Sequence, residues 1–159
     1  MLRSFLIGLV AGQRGITPLA AISVATRRGE IPADLPFQKL FFIPIIAAGV
    51  GALAAAEMGG DKMKTAPDRT VPIGLAVRSI TSAYAGAALA PRDQRALGAA
   101  VAVGTALLSS YIGLRMRKAA MARYGQTPSG MVEDAIVAGA GLAIANPGLV
   151  SGKAFTHRR

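Results

Sequence analysis

Residues 96–114 read ALGAAVAVGTALLSSYIGL, a run of 19 residues without a charge. About 20 predominantly apolar residues, rising 1.5 Å each, cross the hydrocarbon core of a bilayer as a helix. The composition around the run agrees. The chain of 159 residues has 52% hydrophobic residues, 32 alanines, 19 glycines, a mean hydropathy of +0.45 and no cysteine or tryptophan. Such small side chains would bury little area per residue in a water-soluble core, whereas they let transmembrane helices approach closely.

Working outward, four further apolar stretches, two of them interrupted by a single arginine, suit the same reading. Ser4–Val24 is apolar except for Gln13 and Arg14, Leu40–Ala56 is uncharged, and Val71–Ala90 is interrupted only by Arg78. Met131–Val150 begins with Glu133 and Asp134, expected in the first turn of a helix where negative charge meets the dipole. Arg115, Arg117, Lys118 and Arg123 suit a headgroup-facing extension of the 96–114 helix, and Gly125–Gly130 reads as a turn. The expected architecture is all-α: one integral membrane domain over 1–159, a helical bundle of four to five segments, some broken or re-entrant. A signal peptide cleaved after Ser23-Val24-Ala25 is the weaker reading, because Arg14 interrupts the apolar region.

Net charge is +10, which invites a nucleic-acid reading. The distribution argues against it: apart from Arg14 and Arg78, the basic residues lie between or beyond the apolar segments, as at lipid headgroups. Outside those two arginines, the Lys and Arg of a five-span topology divide eight against eight, so charge does not set orientation.

The stretch Ala54–Arg78 places charges of both signs where one apolar segment ends and the next begins. Arg14, with Gly12, Gly15 and Pro18 around it, falls mid-segment, where a guanidinium is costly unless it meets protein, water or an acid. A broken helix or re-entrant turn is expected there. Arg14-Gly-Ile-Thr and Arg78-Ser-Ile-Thr stand 64 residues apart and suggest an internal repeat, with units 1–58 and 70–118 and a last segment 131–150.

The order and spacing of Ala11-Gly12-x-Arg14 with Pro18, Glu57, Asp61-Lys62, Pro67-x-Arg69, Arg78 and Glu133-Asp134 resemble a family of small bacterial multi-span inner-membrane proteins, a domain of unknown function. That resemblance implies a multi-pass bacterial inner-membrane location and brings no activity. The family pattern has a proline shortly after the Asp-Lys pair, where Met63-Lys64 stands here.

The candidate substrate-binding residues are Arg14, Arg78, Asp61, Glu133 and Asp134, forming a polar site for a small anion or proton. Each arginine could equally hold the bundle together by pairing with one of those acids. No catalytic residue, metal or cofactor is expected: His157, the single histidine, lies in the tail, and Glu133 and Asp134 point in different directions on a helix. The expected activity is small-solute transport or conduction, with a structural or accessory membrane role as the alternative and a lipid-headgroup enzyme a distant third. Expected partners are the lipid bilayer and further copies of the chain in a homo-oligomer, with no nucleic acid.

Overall fold

The computed structural model describes residues 1–60 and 71–150, all of whose regular structure is helical. The helices are α1 (Leu2–Gln13), α2 (Thr17–Arg27), α3 (Pro44–Gly60), α4 (Pro72–Leu89), α5 (Arg95–Tyr124), α6 (Gln126–Ala145) and a last turn, α7 (Pro147–Val150). Short 3-10 turns precede α3 (Gln38–Phe42) and α5 (Arg92–Gln94).

The first apolar stretch is two helices. At Arg14 the backbone turns extended (φ −138°, ψ 115°), and α2 restarts at Thr17 with Pro18 in its first turn, where a missing N–H costs no helical bond. Arg78 lies in the uninterrupted interior of α4. The two Arg-x-Ile-Thr tetrapeptides thus have different backbones.

Two boundaries differ from the sequence expectation. The break expected over 125–130 is confined to Gly125 (φ 85°), and α6 resumes at Gln126 because a proline three residues in is still within the first turn. Glu133 and Asp134 therefore sit two turns inside α6 instead of in its first turn. The helix expected from Leu40 starts at Pro44. Proline favours a first helical position, and residues 38–42 form the preceding 3-10 turn. The end of α2 is a Schellman motif, with Gly29 at φ 70° and its N–H and that of Glu30 donating to Thr26 and Ala25.

α1 is the central element, packed on α5, α4, α6 and α2. Its glycines bring it against α5: a Cβ on Gly12 would stand 2.6 Å from the Ala106 carbonyl oxygen, and one on Gly8 2.5 Å from that of Ala102. Gly98 packs against α4, whereas Gly49, Gly51 and Gly104 face open space. α3 is peripheral, packing on α2 and the turn before it, and Ala54 is its one buried residue. Long-range caps close the ends: Arg3 donates from Nε and Nη2 to the carbonyls of Ile144 and Ala145 at the end of α6, both at 2.9 Å.

Polar side chains are buried beside the apolar core of Ile7, Val10, Ile22, Phe41 and Val137, and many large apolar ones lie on the outside. Ser4, Arg14, Thr17, Ser23, Gln38, Arg78, Ser82, Ser110, Asp134 and Asn146 are buried, while Ile45, Ile73, Ile80, Leu108, Met116 and Ile136 are each more than 60% exposed. Among the described residues one helical stretch, Arg92–Tyr124, is long and apolar enough to cross a membrane, and Leu2–Gln13 and Pro44–Gly60 are shorter apolar helices.

Candidate functional site

The polar groups gather where α1 breaks. Residues 14–16 are not helical, so α1 ends and α2 begins with backbone groups that need partners from elsewhere. Glu57, in the last turn of α3, supplies two: its Oε1 accepts from the Gly15 N–H at 2.6 Å and its Oε2 from the Ile16 N–H at 2.9 Å. A carboxylate there also meets the positive end of the α2 dipole. From α4, the Thr81 hydroxyl donates to the Gly15 carbonyl at 2.6 Å. The Gln13 amide donates to the Ser109 carbonyl (3.0 Å) and hydroxyl (2.9 Å) on α5, and the Ser109 hydroxyl donates to Leu9.

Arg14 itself is 1% exposed. Its Nε and Nη2 both donate to Oδ1 of Asp134, at 2.8 and 2.5 Å, so a break in α1 is tied to the middle of α6. Charge-assisted bonds of this kind are the strong ones, and burial makes them more so. Arg78 is buried on the other side of the break, with its Cγ and the Glu57 carboxylate both against Gly15: a Cβ there would lie 3.3 Å from the first and 3.5 Å from the second.

Of the five residues expected from sequence, Arg14 and Asp134 are in direct contact and Arg78 is adjacent to the break. Glu133 is elsewhere. One position along α6 rotates it about 100° from Asp134, and it faces Arg117 on α5 at 3.5 Å. Asp61 lies outside the described residues, as do Lys62 and Arg69. Glu57, Gln13, Thr81 and Ser109 complete the site and were not among the expected ligands. The residue signal for Glu57, beside its place in the motif order above, is that it is the first charge after an uncharged apolar run.

Between α5 and α6 lies a groove of about 750 Å³, whose inner end reaches Gln13, Arg117 and Glu133. It therefore approaches the break from the side of the residues neighbouring Arg14 and Asp134. Among the described residues no group of carboxylates or histidines is placed to hold a metal ion.

Outside the bundle, Asp34 in the α2–α3 connection pairs with Arg92, Nε to Oδ2 at 2.7 Å, and with Arg95. Loss of solvent pushes its carboxyl up, but the hydrogen bonds from Arg95 and Arg92 outweigh this and hold it below the ordinary aspartate value. That connection is also pinned by the Tyr84 hydroxyl, which donates to the Pro36 carbonyl at 2.9 Å, and by Phe41 edge-on to the Tyr84 ring.

No known protein family matches the chain, and neither a curated protein nor a solved structure is similar to it.

Proposed function

We propose that the chain is a multi-span helical protein of a bacterial inner membrane, with four to five membrane segments, that moves a small solute, an anion by preference, through the charged centre at the α1–α2 break. The observation that carries this reading is an ionisable cluster, the buried Arg14, Asp134 and Arg78 with the half-buried Glu57, inside a molecule whose outer surface exposes large apolar side chains. Water would penalise that surface, and lipid would not. Charges in a bilayer are costly and face the protein interior, where they mark solute and proton paths. A helix broken at mid-segment, with its backbone groups turned to a polar centre, is the device that transporters use for such sites.

The chemistry follows from the pair. A proton on Asp134 removes the negative charge facing Arg14, and a small anion can then take the carboxylate's place at the guanidinium. Departure of the proton restores the carboxylate and displaces the anion, so that anion and proton travel together. Arg78 lies close enough to the break to add to the positive field, and Glu57 holds the break by accepting from the N–H groups that lead into α2.

A second reading is favoured by how completely the break is satisfied: Asp134, Glu57 and Thr81 supply its partners from three different helices. On this view the charges only fix the fold of an accessory membrane protein. Single variants cannot separate the two, because removing one member of a buried pair leaves the other uncompensated, at about 3–5 kcal/mol. The double variant Arg14→Leu with Asp134→Leu can, since an apolar replacement of both is often neutral for stability. Transport predicts wild-type liposomes that take up small anions together with protons and a double variant that is folded and inactive. Equal flux through both would sink the transport reading, and absence of flux in the wild type with an equally stable double variant supports the accessory role.

A further inference from the structure

The seam between α2 and α6 is looser than the seam between α1 and α5. A Cβ placed on Gly141 of α6 would stand 3.4 Å from the Thr17 Cγ2 and 3.8 Å from the Ala21 Cβ on α2, and 3.3 Å from the Val10 Cγ1, close to ordinary contact distances. The same addition at Gly8 or Gly12 would meet an atom of α5 at 2.5 Å. Room for about one methyl group is left between α2 and α6, comparable to the share of volume of one water molecule.

Two polar atoms on this seam lack partners among the described residues. They are the hydroxyl of Thr17, which is 5% exposed, and the side-chain carbonyl of Asn146, which is 0% exposed. Such atoms are uncommon, because a buried group without a hydrogen bond loses its hydration uncompensated. The Asn146 amide is fixed in its orientation: Nδ2 donates to the Ala21 carbonyl at 3.3 Å and to the Leu142 carbonyl at 3.0 Å, which leaves Oδ1 as the bare acceptor. Thr17 and Ala21 are one turn of α2 apart, a rise of about 6 Å. One water making two hydrogen bonds of about 2.8 Å spans that interval.

We infer that water is held in this seam between the Thr17 hydroxyl and the Asn146 carbonyl, and that it carries protons between the Glu30 end of the bundle and Asp134. The inference rests on the joint movement of anion and proton proposed above. Half-buried Glu30 accepts from the Gly148 N–H at 3.2 Å, two residues beyond Asn146. Asp134 and Gly141 are seven residues apart on one face of α6, so Thr17, packed at Gly141, stands between Asp134 and Asn146 along that helix. In each transfer an oxygen accepts one proton on a lone pair and releases another. Water and hydroxyl are thus unchanged, while one carboxyl loses a proton and the other gains it. Asn146 Oδ1 only accepts, and so it orients the water. A calcium or magnesium ion is the poorer occupant, since either takes six or more oxygens and the Ala21 and Leu142 carbonyls are already used by Asn146.

The test is a double-variant cycle read by thermal unfolding in detergent, together with proton uptake by liposomes under inward gradients of chloride or formate as probe anions. Thr17→Val keeps the shape of the side chain and removes the hydroxyl; Asn146→Leu removes the acceptor. A shared water predicts that each single variant lowers the midpoint and that the double variant lowers it by less than the sum. It also predicts several-fold slower proton uptake by Thr17→Val and near-normal uptake by Thr17→Ser, which keeps the hydroxyl. A raised midpoint in Thr17→Val would mean that an unpaired hydroxyl had been removed, and would overturn the inference. Strictly additive shifts would do the same. If Asn146→Leu fails to assemble, the sign of the Thr17→Val shift decides. Coupled shifts with unchanged uptake by Thr17→Val overturn the proton route alone. Coupled shifts with no uptake by the wild type defeat the transport reading itself, and the route with it.

Discussion

α1 and α3 are both short apolar helices built from leucine, isoleucine, valine, alanine and glycine, yet the fold uses them in opposite ways. α1 is enclosed by four other helices, and its glycines are filled by the backbone and side chains of α5. α3 buries only Ala54 and turns Gly49, Gly51, Ile45 and Leu53 outward. What separates them is the polar residues each carries. Ser4, Gln13 and Arg14 give α1 and its end directional partners on α4, α5 and α6, whereas α3 has one such residue, Glu57, and it is used at the break. Apolar surface holds a helix near others but does not choose its neighbour when the surroundings are equally apolar.

The comparison is broken most severely by adding bulk to the enclosed helix. Gly12→Leu would drive a side chain into the Ala106 carbonyl and Ser109, and should cost at or above the roughly 3 kcal/mol upper end of overpacking, whereas Gly49→Leu should leave the thermal midpoint of the isolated protomer unchanged. Thermal unfolding of the two variants side by side checks this, and equal destabilisation would mean that α3 is also packed. If Gly49→Leu instead shifts the molecule from oligomer to monomer by size-exclusion with light scattering, the outward face of α3 is the contact between copies.

Cutting the tether of α3 should have a smaller effect. Glu57→Ala leaves the Gly15 and Ile16 N–H groups without their acceptor, at about 1–3 kcal/mol for a buried donor. Hydrogen exchange of residues 15 and 16 should accelerate together with that of the last turn of α3. Acceleration of 15 and 16 alone would show that Glu57 caps α2 without holding α3.

The mildest perturbation is acid. The folded-state value of Asp34 lies below its unfolded one, so its contribution is present above about pH 4, the unfolded aspartate value, and is lost as pH falls through the folded value. Protection of the α2–α3 connection, followed by hydrogen exchange, should fall in that acid window and weaken with added salt, since the pair is partly exposed. A connection equally protected at pH 5 and pH 2.5 would show that Tyr84 and Phe41 hold it without Asp34.

Arg14 shows how much of the site was legible in the sequence. A lone guanidinium amid apolar residues, flanked by glycine and proline, points to a helix break with an acidic partner, and both are present. Choosing Asp134 over Glu133 required the phase of α6, and this depended on where that helix begins. Pro128 reads as a stop when it is inside the first turn. Glu57 was harder, because its partners are backbone N–H groups that every residue except proline carries. Likewise, Gly12 and Gly49 are indistinguishable until their neighbours are known. Glycine spacing marks an ability to pack closely, and the partner decides whether that ability is used.

The pairing of Arg14 with Asp134 also has a consequence in time. The two residues are 120 positions apart in the chain, so at about 5–20 residues per second a ribosome delivers the acid roughly 6–24 s after the base. Arg3 waits longer still for the end of α6. For that interval α1 can pack on α4 and α5 but lacks the group that neutralises its guanidinium. The earliest helix to be synthesised therefore acquires its last partner only with α6, and a delay in making α6 prolongs the time for which the Arg14 guanidinium lacks its carboxylate.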